Sequence, residues 1–236
     1  MVYTNFKLAG LRYKNLWFGG NVVNFVDTLD KKDAQVWQSF VKKEALTPEQ
    51  AEKFEQYLSH LIEWNKKSNL TSITTVSDIL AYHFQDSLRI ADFIDFKPGQ
   101  TLCDVGSGGG FPGIPLKIRY PEVRVILIEV NNKKINFLET MISTLGLENI
   151  EVCPLDWRAF LRDAPYPVDY FFARASLRPD ELTRMFKPGC AYKGATLVYW
   201  ASQQWVLDDK EAVYYRKQEE YQVGNKKRRY IFFGLQ

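Results

Sequence analysis

The stretch Cys103-Asp104-Val105-Gly106-Ser107-Gly108-Gly109-Gly110-Phe111-Pro112-Gly113 constrains the fold of this chain more than any other. An apolar run of strand length over 101–105 enters a tight glycine turn, and a proline then opens a helix. The periodicity around it is that of alternating strands and helices. Strands are predicted over 123–129, 150–153, 168–173 and 195–199, with helices over about 112–119, 133–145 and 179–186. Such β–α–β alternation implies a parallel sheet covered by helices on both faces. The end differs: aromatic-rich runs over 212–223 and 228–233 flank Gly224-Asn225, the signature of a closing antiparallel hairpin.

Upstream, Thr47-Pro48-Glu49-Gln50 supplies a hydroxyl cap, a proline at the first helical position and a capping-box Gln. Ala51, Phe54, Leu58, Leu61 and Ile62 then share one helical face, and Asn65 to Asn69 end the helix. A second helix, capped by Ser77, is predicted from Asp78 to Ile94. Residues 1–46 are rich in aromatics and lysine, which argues against a disordered tail; short strands or helices packed on the next segment are expected. The chain thus divides into an extension (1–46), a helical cap (47–95) and an α/β domain (96–236).

Composition excludes several classes. Cys103, Cys153 and Cys190 form no C-x-x-C pair and lie in or near apolar segments, so reduced thiols are expected and zinc is not. The first thirty residues hold no apolar targeting core, and the longest aliphatic run, Val125 to Ile128, is far short of a membrane span. A cytoplasmic monomer with no membrane partner is expected. The net charge of +3 permits a nucleic-acid partner without indicating one.

A glycine loop alone is a weak signal, and a turn that only packs helix on strand would look similar. Its spacing, G-x-G-x-G at 106, 108 and 110, departs from the dinucleotide fingerprint, whose third glycine would fall at Phe111. Asp104 stands two residues before the first glycine, where it suits an ammonium and would repel a pyrophosphate. Glu129 ends the second strand, where a carboxylate can take both hydroxyls of a ribose. No G-x-x-x-x-G-K-[ST] is present, which weighs against a nucleoside triphosphate. A nicotinamide cofactor fits less well than a zwitterionic nucleoside.

From about Thr47 to Ala201 the chain resembles the bacterial 16S rRNA guanine-N7 methyltransferases of the RsmG or GidB family. The resemblance is carried by Trp64-Asn65-Lys66-Lys67-Ser68-Asn69-Leu70-Thr71, by His83-Phe84-Gln85-Asp86-Ser87-Leu88, and by the loop from Asp104 to Pro115 with its Phe111-Pro112-Gly113-Ile114-Pro115. It implies an α/β fold of the class I S-adenosylmethionine methyltransferase type: a Rossmann-like, mostly parallel seven-stranded sheet with an antiparallel C-terminal hairpin and N-terminal helices. It implies S-adenosyl-L-methionine as cofactor, held by Asp104, Gly106, Ser107, Gly108, Phe111 and Glu129. Asp156, Trp157 and Arg158 would flank the adenine, and Arg174 would be the catalytic position, touching cofactor and substrate. Lys66, Lys67, Asn69, Thr71, His83 and Asp86 would face the RNA, with 16S ribosomal RNA or the small ribosomal subunit as partner. The chain departs from the family pattern in three places. Asp156-Trp157-Arg158-Ala159 replaces Arg-Ala-Glu-Glu, Tyr199-Trp200-Ala201 stands where the fifth strand usually ends in Lys-Gly, and the first 46 residues have no counterpart.

The chemistry fits. Guanine N7 carries an in-plane lone pair and no proton, so methylation there needs positioning but no general base. Ala173-Arg174-Ala175-Ser176 stands where amine methylation would require Asn-Pro-Pro-Tyr, and no Pro-Cys nucleophile is present. His83 and Asp86, one helical turn apart, suit a hydrogen bond near the cleft or a substrate contact; a third metal ligand is lacking. Basic clusters at Lys66-Lys67, Lys133-Lys134 and Lys226-Lys227-Arg228-Arg229 are solvated faces unless they share one side of the fold, where RNA phosphates would use them. Methylation of a non-RNA substrate, and a silent cofactor-binding scaffold on RNA, remain as rival readings.

Overall fold

A computed structural model describes residues 17–18, 21–22 and 24–235. Within the extension, a short hairpin of β1 (Trp17–Phe18) and β2 (Asn21–Val22) precedes α1 (Lys31–Lys43), whose Trp37 and Phe40 are buried. The expectation for residues 1–16 lies outside the described residues.

Helix α2 (Pro48–Ser68) starts on the predicted capping box, with Thr47 accepting from the Gln50 N–H, and stops where Asn69 turns left-handed at φ 44°. The second predicted helix is not regular. α3 (Val76–Ile79) is capped by Thr75, not Ser77, and leads into a π-helical turn over Leu80–Gln85; α4 (Asp86–Leu88) and a 3-10 turn over Arg89–Asp92 follow.

The α/β part alternates as expected: β3 (Thr101–Val105), α5 (Gly113–Arg119), β4 (Arg124–Ile128), α6 (Asn132–Thr144) and β5 (Ile150–Cys153). Next come α7 (Trp157–Asp163), β6 (Tyr170–Ala173), α8 (Pro179–Leu182) and β7 (Thr196–Ala201). The chain closes with α9 (Asp209–Ala212), β8 (Tyr215–Val223) and β9 (Lys226–Phe233). Helix α7 is an addition to the elements expected from periodicity; Asp156 caps it by accepting from Ala159 N–H at 2.9 Å.

The seven-stranded sheet has the order β5-β4-β3-β6-β7-β9-β8, parallel except where β9 runs against β7 and β8. The chain leaves β3 outward through β4 and β5, then returns to lay β6 on its other side. Crevices that hold ligands form at such reversals, beyond the carboxyl ends of the strands. One buried cluster packs the N-terminal helices, α5 and α6 on one sheet face; another packs α7 and α8 on the opposite face. The cap therefore shares its hydrophobic core with the α/β part: Phe54, Tyr57, Leu61 and Phe84 lie in the same cluster as Phe111, Ile114 and Phe137.

Candidate active site

Three groups meet at the reversal point: the glycine loop after β3, Glu129 after β4 and Arg174 after β6. Gly106, Gly108 and Gly110 adopt φ of 71°, 59° and 94°, which only glycine takes without strain. Close packing adds a second requirement at two of them. A Cβ on Gly106 would lie 2.6 Å from the Ser176 Cβ, and one on Gly110 would lie 2.6 Å from Ile114 and 2.8 Å from the Tyr57 hydroxyl. At Gly108 an added Cβ would meet only the Gly106 carbonyl, at 3.9 Å, so this residue faces open space.

The loop is braced from beneath by residues of three elements. Asp104 is 1% exposed; one carboxyl oxygen accepts the Gly113 N–H at 2.8 Å, and the other has no partner among the described residues. Burial pushes its carboxyl up to about 7. The buried Ser107 hydroxyl donates to the Asp104 carbonyl at 2.9 Å. Glu129 accepts from Gly108 N–H, Val130 N–H and Asn131 N–H, each at 2.9 Å, so one carboxylate orders both the loop and the turn after β4. From the cap, the Tyr57 hydroxyl donates to the Gly109 carbonyl while its ring stacks on Phe111 at 5.5 Å.

Arg174 is the hub of the site. Its Nη1 donates to the Asp86 carboxylate and to the Tyr82 carbonyl, both at 2.9 Å, and its Nη2 to His83 Nδ1 at 3.0 Å. The guanidinium lies 5.2 Å from the Phe111 ring centroid. Tyr82 belongs to the π turn over Leu80–Gln85, which thus holds Arg174 through a main-chain carbonyl as well as through the His83 ring. His83 stacks flat on Phe111, at 4.2 Å and 5°. Since its Nδ1 accepts from Arg174, its Nε2–H is the donor to Thr71 Oγ1 at 2.8 Å. Burial, then Arg174 and Arg228, hold the imidazole down to about 3, so it is neutral. Asn65 clasps Thr71 through both main-chain groups at 2.9 Å.

Asp86 is fully buried, and the Tyr221 hydroxyl of β8 donates to it at 2.7 Å; Arg228 of β9 pairs with it at 3.3 Å. Two of the sequence segments behind the resemblance thus join with Arg174 in one network, Asn65–Thr71–His83–Arg174–Asp86, which is closed by the C-terminal hairpin and rests on Phe111 of the third. His83 and Asp86 meet through Arg174 rather than each other.

Other expected site residues lie apart from this network. Trp157 is buried in the core against Phe160 and Phe171, with its indole N–H donating to the Glu181 carbonyl at 2.9 Å. Arg158 is exposed and pairs with Glu181 at 2.6 Å. Asn69, Lys66 and Lys67 are exposed at the end of α2. Trp200, in place of the family lysine, packs edge-on against Tyr230 and Phe172. Tyr57 and Tyr221 join the site without a signal of their own in the sequence, and so does Val130, an apolar side chain 58% exposed directly after Glu129, whereas Arg228 comes from one of the basic clusters the sequence marks. The basic clusters border one end of the fold: Lys134 reaches to 4.0 Å from Glu129, Arg228 pairs with Asp86, and Lys66-Lys67 follow Asn65. Among the described residues no three His, Cys, Asp or Glu side chains are grouped to hold a metal, and no helix is long and apolar enough to cross a membrane.

This strand order, with a glycine loop at the end of β3 and a carboxylate at the end of β4, defines the class I S-adenosylmethionine-dependent methyltransferase fold. Solved structures of that fold superpose on the chain. The protein TrmN from Thermus thermophilus matches with a TM-score of 0.51 and 16% identity, over 73% of this chain and 52% of that one. A mutant of MtNAS in complex with S-adenosylmethionine matches with a TM-score of 0.54 and 16% identity, over 89% of this chain and 80% of that one. The chain belongs to the rRNA small subunit methyltransferase G family, whose model matches residues 50–231. It is 40% identical over 146 residues to ribosomal RNA small subunit methyltransferase G of Bacillus subtilis, a match covering 61% of each chain and so less than two thirds of that relative. To the protein of the same name from Lachnoclostridium phytofermentans it is 39% identical over 171 residues, covering 72% of this chain and 70% of the other.

Proposed function

We infer that the chain transfers a methyl group from S-adenosylmethionine to N7 of a guanine in small-subunit (16S) ribosomal RNA, acting as a cytoplasmic monomer. The observation that carries this reading is the convergence of the left-handed glycine loop, the Glu129 carboxylate and the Arg174 network at one end of the sheet. Family membership supplies the substrate: the relatives above bear the name of ribosomal RNA small subunit methyltransferases.

The residues suit the cofactor. The open space before Gly108 lets a ligand approach the loop backbone, and Glu129 stands beside it as an acceptor for ribose hydroxyls. Val130 offers an exposed apolar face for a purine next to that carboxylate. When bound, the cofactor supplies a methyl group on a positively charged sulfur. The chain's own task is then to orient and to exclude water, which ordered groups accomplish at no cost at the moment of reaction. Helices over 47–95 cap the cleft, and Tyr57 holds the loop from that side.

The site also suits an acceptor atom that carries no proton. His83 has both ring nitrogens engaged and is neutral, and Asp86 is shared among Arg174, Arg228 and Tyr221. Neither is free to act as a general base, and N7 of guanine requires none. Because N7 must stay open to attack, an arginine fork to O6 and N7 is ruled out for Arg174, whose amino groups already serve Asp86, Tyr82 and His83.

Transfer of tritiated methyl to small ribosomal subunits and to protein-free 16S RNA, followed by nucleoside digestion, tests the reading. Label is expected in 7-methylguanosine. Label in another nucleoside would overturn the N7 assignment, and label only in protein or small molecules would overturn the RNA substrate.

A further inference from the structure

The charges around Asp86 do not balance. Its carboxylate, fully buried, is paired with two guanidinium groups, Arg174 at 2.9 Å and Arg228 at 3.3 Å. The neutral His83 adds no charge and the Tyr221 hydroxyl is a neutral donor. A third cation stands beside them: the Lys226 ammonium lies 4.2 Å from the centroid of the Tyr82 ring, and it makes no ion pair among the described residues. Tyr82 is the residue whose carbonyl accepts from Arg174, and its hydroxyl donates to Asn225 in the hairpin turn at 2.5 Å. Two guanidinium groups thus share one carboxylate in a region where the Arg174 and Arg228 side chains are only 11% and 26% exposed, and the exposed Lys226 adds a third cation at its rim, over the Tyr82 ring. Cations withdrawn from water without matching anions are unfavourable unless a ligand completes them.

Strand geometry explains how four consecutive basic residues come to be sorted. Alternate side chains of β9 point to opposite faces. Lys226 and Arg228 are aimed at Tyr82 and Asp86, whereas Arg229 turns away and donates to the carbonyls of Ser202, Gln203 and Trp205. The hairpin thus presents half of its basic run to the site. Asp86 lies between Arg174 and Arg228, and Arg174 lies over Phe111 of the loop. Arg228 and Arg174 thus converge on the same Asp86 oxygen, Arg174 from the side of the glycine loop and Arg228 from the hairpin.

We propose that Lys226 and Arg228 bind a backbone phosphate of the RNA substrate beside the target nucleotide, with Asp86 as the group that fixes Arg228 and Arg174 in one frame. This rests on the RNA-methyltransferase reading above. Arg228 gives a phosphate a fixed fork, since one of its amino groups is already held by Asp86; Lys226 gives a mobile charge at the rim. The hairpin is then a second grip on the RNA, separate from the cap and from the cofactor loop.

Lys226→Gln, Arg228→Gln and Arg228→Lys test it, with three measurements on each: the KM for RNA, the salt dependence of RNA affinity, and the Kd for S-adenosylmethionine without RNA. Lys226→Gln and Arg228→Gln are each expected to raise the RNA KM about three- to tenfold and to flatten the log–log salt slope by ~0.7–0.9, the share of one phosphate contact. Cofactor affinity should stay within about twofold, and Arg228→Lys should restore the salt slope, because it keeps the charge, but only part of the RNA affinity, because it loses the fork. Lys226→Gln decides the matter even where Arg228→Gln disturbs folding, because the lysine is exposed and makes no ion pair among the described residues. An unchanged KM and salt slope in Lys226→Gln would overturn the proposal. So would a loss confined to cofactor Kd, which would make the anion the cofactor's own carboxylate. Failure of the underlying reading has a different signature, no methyl transfer to RNA by the unaltered protein.

Discussion

Tyr57 joins the N-terminal helices to the glycine loop through one oxygen atom. Its ring is fully buried between Phe84 and Phe111, and its hydroxyl serves the Gly109 carbonyl. Tyr57→Phe keeps the packing and leaves that carbonyl without its partner, a loss of about 1–3 kcal/mol for a buried group. Part of it should appear as weaker binding of S-adenosylmethionine by calorimetry, with the RNA KM unmoved; a fall in Tm alone would make Tyr57 a core residue and nothing more. Gly108→Arg should leave the protein folded, with a backbone penalty of roughly 1–2 kcal/mol for the left-handed residue, and abolish cofactor binding. Nothing in the protein obstructs a side chain there, so only a ligand would be displaced. Retained affinity would reduce the loop to a packing turn. At this scale the sequence is legible where backbone conformation dictates residue type, as in the loop glycines. It is less so where role depends on tertiary neighbours. A tyrosine in a helix among Phe54, Leu58 and Leu61 carries no sign that its hydroxyl meets a carbonyl 52 residues away. Arg228 and Arg229 differ only in which face of β9 they occupy.

Elements are legible in proportion to their regularity. The buried parallel strands are continuous apolar runs, and β3, β4, β5 and β7 fall where the runs do. The capping box of α2 marks its start, but the segment after it is harder to read, because a π turn shifts the apolar period that a helix reading assumes. That irregular turn is where the cap, the loop and the hairpin meet. Tyr221 of β8 tests how firmly the hairpin belongs to the site. Its hydroxyl donates to a fully buried carboxylate, a bond of about 1.5–3 kcal/mol when the acceptor is charged. Tyr221→Phe should lower the urea midpoint accordingly and leave the slope of the transition unchanged. An unaltered midpoint would mean that Arg174 and Arg228 satisfy Asp86 without help, and that the hairpin is held by strand pairing alone.

For the whole molecule, two buried groups set opposing pH dependences. Unfolded, His83 takes a proton near 6.5 and Asp104 near 3.8; folded, burial moves His83 down to about 3 and Asp104 up to about 7. Between pH 4 and 6.5, therefore, unfolding lets His83 gain a proton and makes Asp104 lose one. Stability tied to neutral His83 is complete above 6.5 and is lost as pH falls toward 3. Stability tied to protonated Asp104 is complete below 3.8 and is lost as pH rises through 7. Each slope is about 1.4 kcal/mol per pH unit at its steepest, and their signs are opposite, so over that window they offset one another. Asp104→Asn retains an acceptor for the Gly113 N–H but no longer titrates, which exposes the histidine alone. Relative to the unaltered protein, the variant should lose about 1.4 kcal/mol for every unit of acidification below 6.5, measured as urea stability at several pH values. His83→Asn should do the reverse and gain on the unaltered protein as the pH falls. A difference between variant and parent that stays constant from pH 6.5 to 4.5 would show that neither group titrates as its burial demands.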